Sequence, residues 1–436
     1  MIDLSDICRT IRLACVCSVA TAILLFAVTP LHAQPAPSPP AGGEVLSLTV
    51  NEAMALFLRQ NLDLLMAQYG IDYAKGLEVT AKLFPNPILS LEGTGSLTRP
   101  INKVGALTTR VDQLFELAGK RGYRQESSRY GTQSAEAAFA DAVRTLGFSV
   151  KEAFYKVLLT KRKLDLAQDN STRFAEVVRI NTIRFQKGVI AEADLIKLRV
   201  QFVDFQNQVI TATHELFTAQ NTLKGLLAVR PQVELVLNGE LEYKPQDLAL
   251  DRLRTDALST RPDVAAKDRT LSQRSAELKL AEALRVPDVT VGADFTVQGP
   301  QGPNTEHQVG VGLSVPLPLF NRNQGGILQA EASRRAAQAD LDRTKLQVEI
   351  DVENAYRDFT QTDMLAKAYR GGVLDDARTS REIAEKAYAR GGMTILDLLD
   401  AFRTFNTTMQ GYIDALYAYQ RSLLAIDTAV GREATK

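Results

Sequence analysis

The sequence predicts a mainly α-helical protein with a membrane β-barrel portion. In this fold class, a duplicated unit of long antiparallel coiled-coil helices carries a transmembrane β-hairpin, and the four strands per chain complete an oligomeric barrel. Three observations predict it. The 436-residue chain repeats itself, since Phe84-Pro-Asn86 returns as Val286-Pro-Asp288. Each repeat contains two stretches of alternating apolar and polar residues, and the remainder follows a heptad pattern.

Composition and charge exclude several classes of protein. The chain has 51 Lys and Arg residues against 51 Asp and Glu residues, so a nucleic acid, which needs a basic face, is not an expected partner. The cysteines are Cys8, Cys15 and Cys17, and only His214 and His307 remain after residue 33. Too few thiols and imidazoles are left for a Cys/His cage, so the sequence predicts no metal site and no cofactor.

Residues 1–33 are typical of a secretory signal peptide. An apolar run from Leu13 to Val28 follows two arginines and leads to the small Ala33. This run is shorter than the roughly 20 residues that cross a bilayer as a helix, and an uncleaved anchor is the alternative interpretation. Residues 34–48 include a proline-rich stretch and are predicted to be an N-terminal extension.

The rest of the chain divides into two repeats and a short connection. Pro231 ends a helix and is followed by alternating Val233, Leu235 and Leu237, which predicts a small strand-bearing equatorial segment. Each repeat begins with a helix that climbs towards its hairpin. The predicted boundaries are the first repeat 49–229 (hairpin 84–117, long helix 119–187, return helix 190–229), the equatorial segment 230–250, the second repeat 251–430 (hairpin 287–317, long helix 325–390, return helix 393–430) and the C-terminal tail 431–436.

In each hairpin the apolar residues fall mainly on odd-numbered positions. Strands of about nine to eleven residues are long enough to cross a bilayer as tilted β-structure. The same pattern also fits the edge of a soluble sandwich. The residues predicted to face the lumen of a barrel are Glu92, Arg110, Asp112, Glu116, Thr290 and Asp294. Those predicted to face lipid are Val291, Phe295, Val311 and Leu313.

The helices carry apolar seams of their own. In the first long helix a seam with spacings of four and three runs over Phe139–Ala167, and it returns in the second repeat over Leu341–Tyr369. After each glycine turn the pattern restarts, at Leu195 and at Leu398. The helices are therefore predicted to pair with one another as coiled coils. This pairing leaves the apolar face of the hairpins uncovered, which favours membrane strands over the edge of a soluble sandwich.

The two turns between long and return helices are predicted to form the periplasmic tip. Glycines at these turns suit left-handed backbone conformations, and an aspartate follows about a turn and a half into each next helix. An acid near a helix start is also favoured by the helix dipole, so a stabilising role is the alternative to a gate. The predicted tip and gate residues are Lys187, Gly188, Asp194, Arg390, Gly391 and Asp397.

The order of several short motifs resembles the outer membrane efflux family, the TolC-like outer membrane factors. The motifs are Asn61-Leu-Asp63 matched by Arg261-Pro-Asp263, Leu83-Phe-Pro-Asn-Pro87 before the first strand, Gly119-Lys-Arg121 after the hairpin, and the glycine turns. The stretch Pro316–Gly325 resembles the heavy-metal, CzcC-type branch. The resemblance covers essentially the whole mature chain.

The resemblance implies a homotrimer whose barrel lies in the outer membrane of a Gram-negative bacterium, in contact with outer-membrane lipid. It implies that the helices form a periplasmic tunnel. It also implies two protein partners, a periplasmic adaptor (membrane fusion) protein and an inner-membrane pump of the RND type.

The leading hypothesis is an outer-membrane channel of a tripartite efflux system, a passive duct whose cargo includes heavy-metal cations as one candidate. The alternative is a periplasmic or surface coiled-coil scaffold protein without transport activity, which leaves both alternating hairpins unexplained. An enzyme is not predicted, because the sequence contains no spaced acid/base pair, no glycine-rich phosphate loop and no Ser/His/Asp set.

Overall fold

The computed structural model of the protein describes residues 45–95, 105–298 and 307–435. The predicted signal peptide, residues 34–44 of the predicted extension and residue 436 lie outside the described residues. The first half contains β1 (Val45–Leu48), α1 (Val50–Gln60), α2 (Leu62–Lys82), β2 (Ile88–Gly95), β3 (Gly105–Phe115), α3 (Lys120–Gln186) and α4 (Glu192–Leu226). The rest contains β4 (Glu234–Leu237), α5 (Leu250–Thr260), α6 (Pro262–Ala283), β5 (Val289–Gln298), β6 (His307–Ser314), α7 (Gln324–Ala368), a π-helical turn (Tyr369–Val373), α8 (Leu374–Ala389) and α9 (Ile395–Val430).

Two short strands from different parts of the chain form a parallel sheet. β1 pairs with β4, and Leu48 lies opposite Leu237. Both leucines are buried in a core that also contains Phe57 of α1 and Phe154 of α3. Residues 45–48 therefore belong with the equatorial segment, and their predicted place in the N-terminal extension is wrong. A strand of four residues shows too little alternation to be recognised without its partner.

Four longer strands form one antiparallel sheet in the order β2-β3-β5-β6. The register places Arg110 between Ser90 of β2 and Asp294 of β5, and Asp294 opposite Gly310 of β6. Every pair joins two even-numbered or two odd-numbered residues. Residues of one parity therefore share one face across all four strands. The two predicted hairpins meet through β3 and β5.

Each hairpin is preceded by two helices where the sequence predicted one. Asn61 ends α1 and caps α2, because its side chain accepts a hydrogen bond of 2.8 Å from the backbone N–H of Leu64. Arg261 ends α5, and Pro262 occupies the first turn of α6, where a missing N–H leaves no helical bond unmade. The matched motifs Asn61-Leu-Asp63 and Arg261-Pro-Asp263 therefore mark breaks between two helices.

The long helix of the second half is interrupted. α3 continues for 67 residues without a break, whereas a π-helical turn separates α7 from α8. Within that turn Gly372 has a φ of 110°, a conformation that only glycine adopts readily. The predicted continuous helix 325–390 is therefore wrong at residues 369–373. The predicted seam ends at Tyr369, where the π-helical turn begins, so the heptad pattern gives no information on the residues that follow.

The predicted seams supply much of the apolar core. Val150 of α3, Leu198 of α4, Val352 of α7 and Leu398 of α9 are at most 2% exposed. Lys345, which interrupts the predicted seam of the second half, is exposed. The long helices therefore pack along their seams, and the cores follow the helices instead of gathering in one centre.

A buried ion-pair network joins the break at Arg261 to two other helices. The side chain of Arg261 is 6% exposed and lies 2.6 Å from Asp263 and 2.9 Å from Asp351 of α7. It also donates a hydrogen bond to the carbonyl of Ala429 in α9. The guanidinium thus connects α6, α7 and α9.

We expect this network to make stability depend on pH in acid. Burial acts to raise the pKa of Asp263, but the hydrogen bonds and charge of Arg261 outweigh it and hold the pKa below its ordinary value. The ion pair therefore stabilises the fold above the ordinary pKa of about 4, and this stabilisation is lost as the pH falls through the lowered pKa. Asp263→Asn should make the free energy of unfolding fall less steeply in acid, as measured by chemical denaturation of the protein over a series of pH values.

Asp400→Asn is the matched control, because Asp400 is exposed on α9. Its stability should follow the wild-type dependence on pH. An Asp263→Asn protein that loses stability in acid as steeply as the wild type would contradict the role assigned to the network.

Candidate functional site

The four-stranded sheet has one face that carries charge and one that is apolar. The Asp, Glu, Lys and Arg residues of these strands are Glu92, Arg110, Asp112 and Asp294, and all are even-numbered. The register therefore puts them on one face, together with Thr290. Five of the six residues predicted to face a lumen thus share a face, which we call the even face. Three carboxylates against one guanidinium give it a net negative charge.

Arg110 lies at the centre of the even face. Its Nε donates to both carboxylate oxygens of Asp112 at 2.9 Å, and its Nη1 lies 3.4 Å from Oδ1 of Asp294. The neighbouring pair across β3 and β5, Thr108 and Thr296, shares a hydrogen bond of 2.9 Å between hydroxyls. Polar side chains therefore interact with one another along this face.

The odd face of the same sheet is apolar and open. The residues predicted to face lipid lie on it together: Val291, Phe295, Val311 and Leu313. Val311 is 81% exposed and Leu313 is 70% exposed. Within the described residues, no element covers this part of the face. An apolar surface of this kind marks contact with a membrane or another protein.

Glu116 lies just outside the sheet. β3 ends at Phe115, and the carboxylate of Glu116 accepts hydrogen bonds of 2.6 and 2.9 Å from Arg124 in α3. Its predicted position within the lumen-facing strand is therefore wrong. The alternating pattern continues past the last paired residue, so the pattern could not show where the strand ends. Glu116 instead fixes the junction between strand and helix.

The turn between α3 and α4, together with the start of α4, contains the first three predicted tip residues. Lys187 follows α3, and Gly188 has a φ of 72°, in the left-handed region. Asp194 lies in the first turn of α4, and its carboxylate is 3.4 Å from Nζ of Lys197. The N-cap of α4 is Ala191, which makes no side-chain cap. Asp194 is thus partly exposed beside a lysine at the start of a helix.

The turn between α8 and α9, together with the start of α9, contains the other three predicted tip residues. Arg390 follows α8, and Gly391 has a φ of 79°. The carboxylate of Asp397 accepts hydrogen bonds from the hydroxyl of Thr394 at 2.7 Å and from its backbone N–H at 3.0 Å. The hydroxyl of Thr394 in turn accepts from the N–H of Asp397, which completes a capping box. These hydrogen bonds from Thr394 lower the pKa of Asp397.

The two aspartates are therefore not equivalent. Asp397 caps its helix and Asp194 does not. Both aspartates lie in the first turn of their own helices. The sequence predicted a position further along, about a turn and a half into each helix. The difference arises because the N-cap of α9 is Thr394, whereas the N-cap of α4 is Ala191.

Two contacts that sequence patterns do not show bring the two turns together. Arg184 of α3 donates a hydrogen bond of 2.5 Å to the carbonyl of Ala389 at the end of α8. The hydroxyl of Tyr388 donates to the side-chain oxygen of Asn181 at 2.9 Å. Burial raises the pKa of Tyr388, so its hydroxyl keeps the proton that it donates. The one available signal was that Arg184 and Tyr388 lie within about a helical turn of the turn glycines.

In residues 45–95, 105–298 and 307–435, no group of three or more His, Cys, Asp and Glu side chains could hold a metal ion. The helices of this part of the chain are too short or too polar to span a membrane.

Comparison with known proteins identifies similar chains. The model of a family described as "Outer membrane efflux protein" matches residues 53–229 and 253–432. The cobalt-zinc-cadmium resistance protein CzcC of Cupriavidus metallidurans is 26% identical over 389 residues, which are 88% of this chain and 90% of CzcC. The cation efflux system protein CusC of Escherichia coli O157:H7 is 22% identical over 395 residues, which are 86% of this chain and 84% of CusC.

The fold has also been seen before. Crystal structures that describe conformational changes of CusC during folding and transmembrane channel formation match with a TM-score of 0.75. The match covers 93% of this chain and 97% of that one, at 19% sequence identity. At this identity the likeness establishes the fold.

Proposed function

The chain belongs to the outer membrane efflux protein family, and we propose that it forms the outer-membrane channel of a tripartite efflux system. In this system it is a passive duct from the periplasm to the exterior. The observation that carries the proposal is the sheet, whose charges all lie on the even face while the odd face is apolar and uncovered. A membrane strand with water on one side and lipid on the other needs this division. A scaffold protein does not.

We infer that the sheet closes into a barrel with further copies of the chain. β2 and β6 are its outer strands, and their unpaired backbone groups would find no water inside a bilayer. Membrane barrels begin at about eight strands, which exceeds what this sheet provides. A homotrimer, which the family resemblance implies, would close three such sheets edge to edge. The even face would then line the lumen and the odd face would meet lipid.

The helices would continue the lumen as a tunnel in the periplasm. At a rise of about 1.5 Å per residue, the 67 residues of α3 give a helix roughly 100 Å long. The two turns would lie at the far end from the membrane. There they would meet a periplasmic adaptor (membrane fusion) protein and receive substrates from an inner-membrane pump of the RND type.

We expect the two turns to act as a gate that attracts cations. In an oligomer, Asp194 and Asp397 would form rings of acid around the pore. Replacing both by alanine should raise the single-channel conductance in planar bilayers and weaken the preference for cations. Both effects follow from removing carboxylates at a constriction.

Thr394→Ala separates this gate from simple helix capping. It removes the hydroxyl that caps α9 but leaves both carboxylates in place. It should destabilise the start of α9 without changing the ion preference. If the double aspartate variant has wild-type conductance and a lower melting temperature, the aspartates stabilise helix starts only.

We propose metal cations as the cargo, on the basis of two relatives named for cobalt-zinc-cadmium resistance and for cation efflux. A wide pore lined by carboxylates and hydroxyls favours one sign of charge without coordinating a metal tightly, so the pump would select the metal. Deleting this protein, or separately its pump, should sensitise cells to the same divalent metals. A loss of tolerance to hydrophobic antibiotics alone would contradict a metal cargo.

A further inference from the structure

Three glycines lie beneath the charged cluster of the even face. Gly292 of β5 pairs with Gly312 of β6, and Gly310 of β6 pairs with Asp294. We call these three glycines the glycine trough. They share the even face with Arg110, whose side chain reaches from β3 across β5 towards β6.

The trough is filled by the side chains of that cluster. A Cβ atom at Gly292 would overlap the guanidinium of Arg110 and the carboxylate of Asp112. A Cβ at Gly310 would come within 2.6 Å of both carboxylate oxygens of Asp294, and one at Gly312 would lie 3.1 Å from Nη2 of Arg110. The guanidinium thus occupies the space that side chains at Gly292 and Gly312 would take, and the carboxylate of Asp294 occupies that space at Gly310.

Backbone conformation does not account for these glycines. None of the three has a positive φ, so each could adopt its backbone angles with a side chain. Glycine within a strand weakens it, and its presence there indicates a close approach of another group. Gly93 of β2 shows the contrast, because a Cβ there would meet no heavy atom within 4 Å.

We propose that the glycine trough sets the ion preference of the duct by holding Arg110 flat against the wall. The inference rests on the proposed function, in which the even face lines the lumen. In the trough, Arg110 stays paired with Asp112 and Asp294, and the wall as a whole remains negative. Lifted out of the trough, the guanidinium would extend towards the path of the ions and lose these partners.

The distance of that charge from the ion path decides its effect. Charges in water at physiological salt are screened over about 8 Å, so a displacement of several ångströms towards the axis strongly increases the repulsion felt by a passing cation. The trough therefore favours cations as the class of solute. Within the barrel, Arg110 is the residue whose position changes that preference, in addition to the aspartates at the gate.

Gly292→Ala tests the inference in the full-length protein reconstituted in planar bilayers. The added methyl should lift Arg110, so the cation-to-anion permeability ratio, measured from reversal potentials in a KCl gradient, should fall by about twofold or more. Gly312→Ala should change the ratio in the same direction by less, because its contact is looser. Gly93→Ala on β2 is the control, because its methyl would lie on the odd face and meet no neighbour within 4 Å, and it should leave the ratio unchanged.

Removal of Arg110 shows whether the effect acts through this residue. Arg110→Gln should raise the ratio, and in that background Gly292→Ala should have no further effect. The inference is overturned if assembled Gly292→Ala has the permeability ratio of the wild type. It is also overturned if Gly292→Ala lowers this ratio equally in the wild-type protein and in Arg110→Gln. If Gly292→Ala fails to assemble, an unchanged ratio in Gly312→Ala overturns it. A wild-type protein that conducts no ions would contradict the proposed duct function. A protein that conducts ions but whose permeability ratio does not change in the variants would contradict only the role of the glycine trough.

Discussion

Val311→Arg is expected to hinder assembly in the membrane by about 2–4 kcal/mol, the cost of an arginine on the lipid face near the midplane of a barrel. Val311 lies in the middle of β6, opposite Ala293 of β5, and it is 81% exposed on the odd face. A guanidinium there would lose its water without gaining a partner. The measurement is the fraction of folded oligomer in outer-membrane preparations, followed by denaturant titration in lipid vesicles.

The chain itself provides the control on the opposite face. Asp294 adjoins Ala293 and is paired with Arg110, so the protein already carries an arginine at this depth on the even face. Asp294→Asn keeps a hydrogen-bonding side chain there and should assemble like the wild type. Equal tolerance of Val311→Arg and Asp294→Asn would contradict the assignment of the odd face to lipid.

Phe402→Ala is expected to destabilise the core next to the two turns by about 3–5 kcal/mol. The rings of Phe174, Phe205 and Phe402 come from α3, α4 and α9, and each is at most 1% exposed. Their centroids lie 4.9 to 6.2 Å apart. Truncating Phe402 leaves a cavity between helices of both repeats. Amide hydrogen exchange at the start of α9 and the end of α3 should therefore accelerate.

Thr404→Ala is the matched control on the same helix, because Thr404 is exposed. Substitutions of this kind usually change stability by no more than about 0.5 kcal/mol. The exchange of amides in the four-stranded sheet should stay unchanged in both variants. Unaltered exchange around the turns in Phe402→Ala would show that this core does not hold them together.

The two faces of the sheet could be predicted because a strand alternates strictly. Within each strand, alternation places charged residues such as Arg110 and Asp294 on the face opposite to the apolar ones. That residues of one parity share a face across all four strands depends on the register, which the structure shows. The same rule failed at Glu116, since alternation does not report the last hydrogen-bonded pair. The space beneath Arg110 could not be predicted either, because it depends on glycines of β5 and β6 that are far away in sequence.

At the two turns that join α3 to α4 and α8 to α9, the sequence likewise predicted some features and not others. Gly188 and Gly391 could be identified because a reversal of the chain at a helix end favours glycine. The contacts of Arg184 with Ala389 and of Tyr388 with Asn181 join two turns about 200 residues apart. A local pattern contains no information about such a pair, because it shows which face of a helix is apolar but not which helix covers it.

By itself the sequence determined the duplication, the seams, the two hairpins and the parity of their residues. These features follow from the periods of the helix and the strand, which each short segment expresses alone. Only the tertiary structure decided the pairing of β1 with β4, the junction of β3 with β5, the interruption at Tyr369–Val373 and the resting place of Arg110. Each of these features depends on packing between segments that are distant in sequence, or on a local change in the helix that such packing stabilises. The apolar period of a segment is the same whichever other segment packs against it.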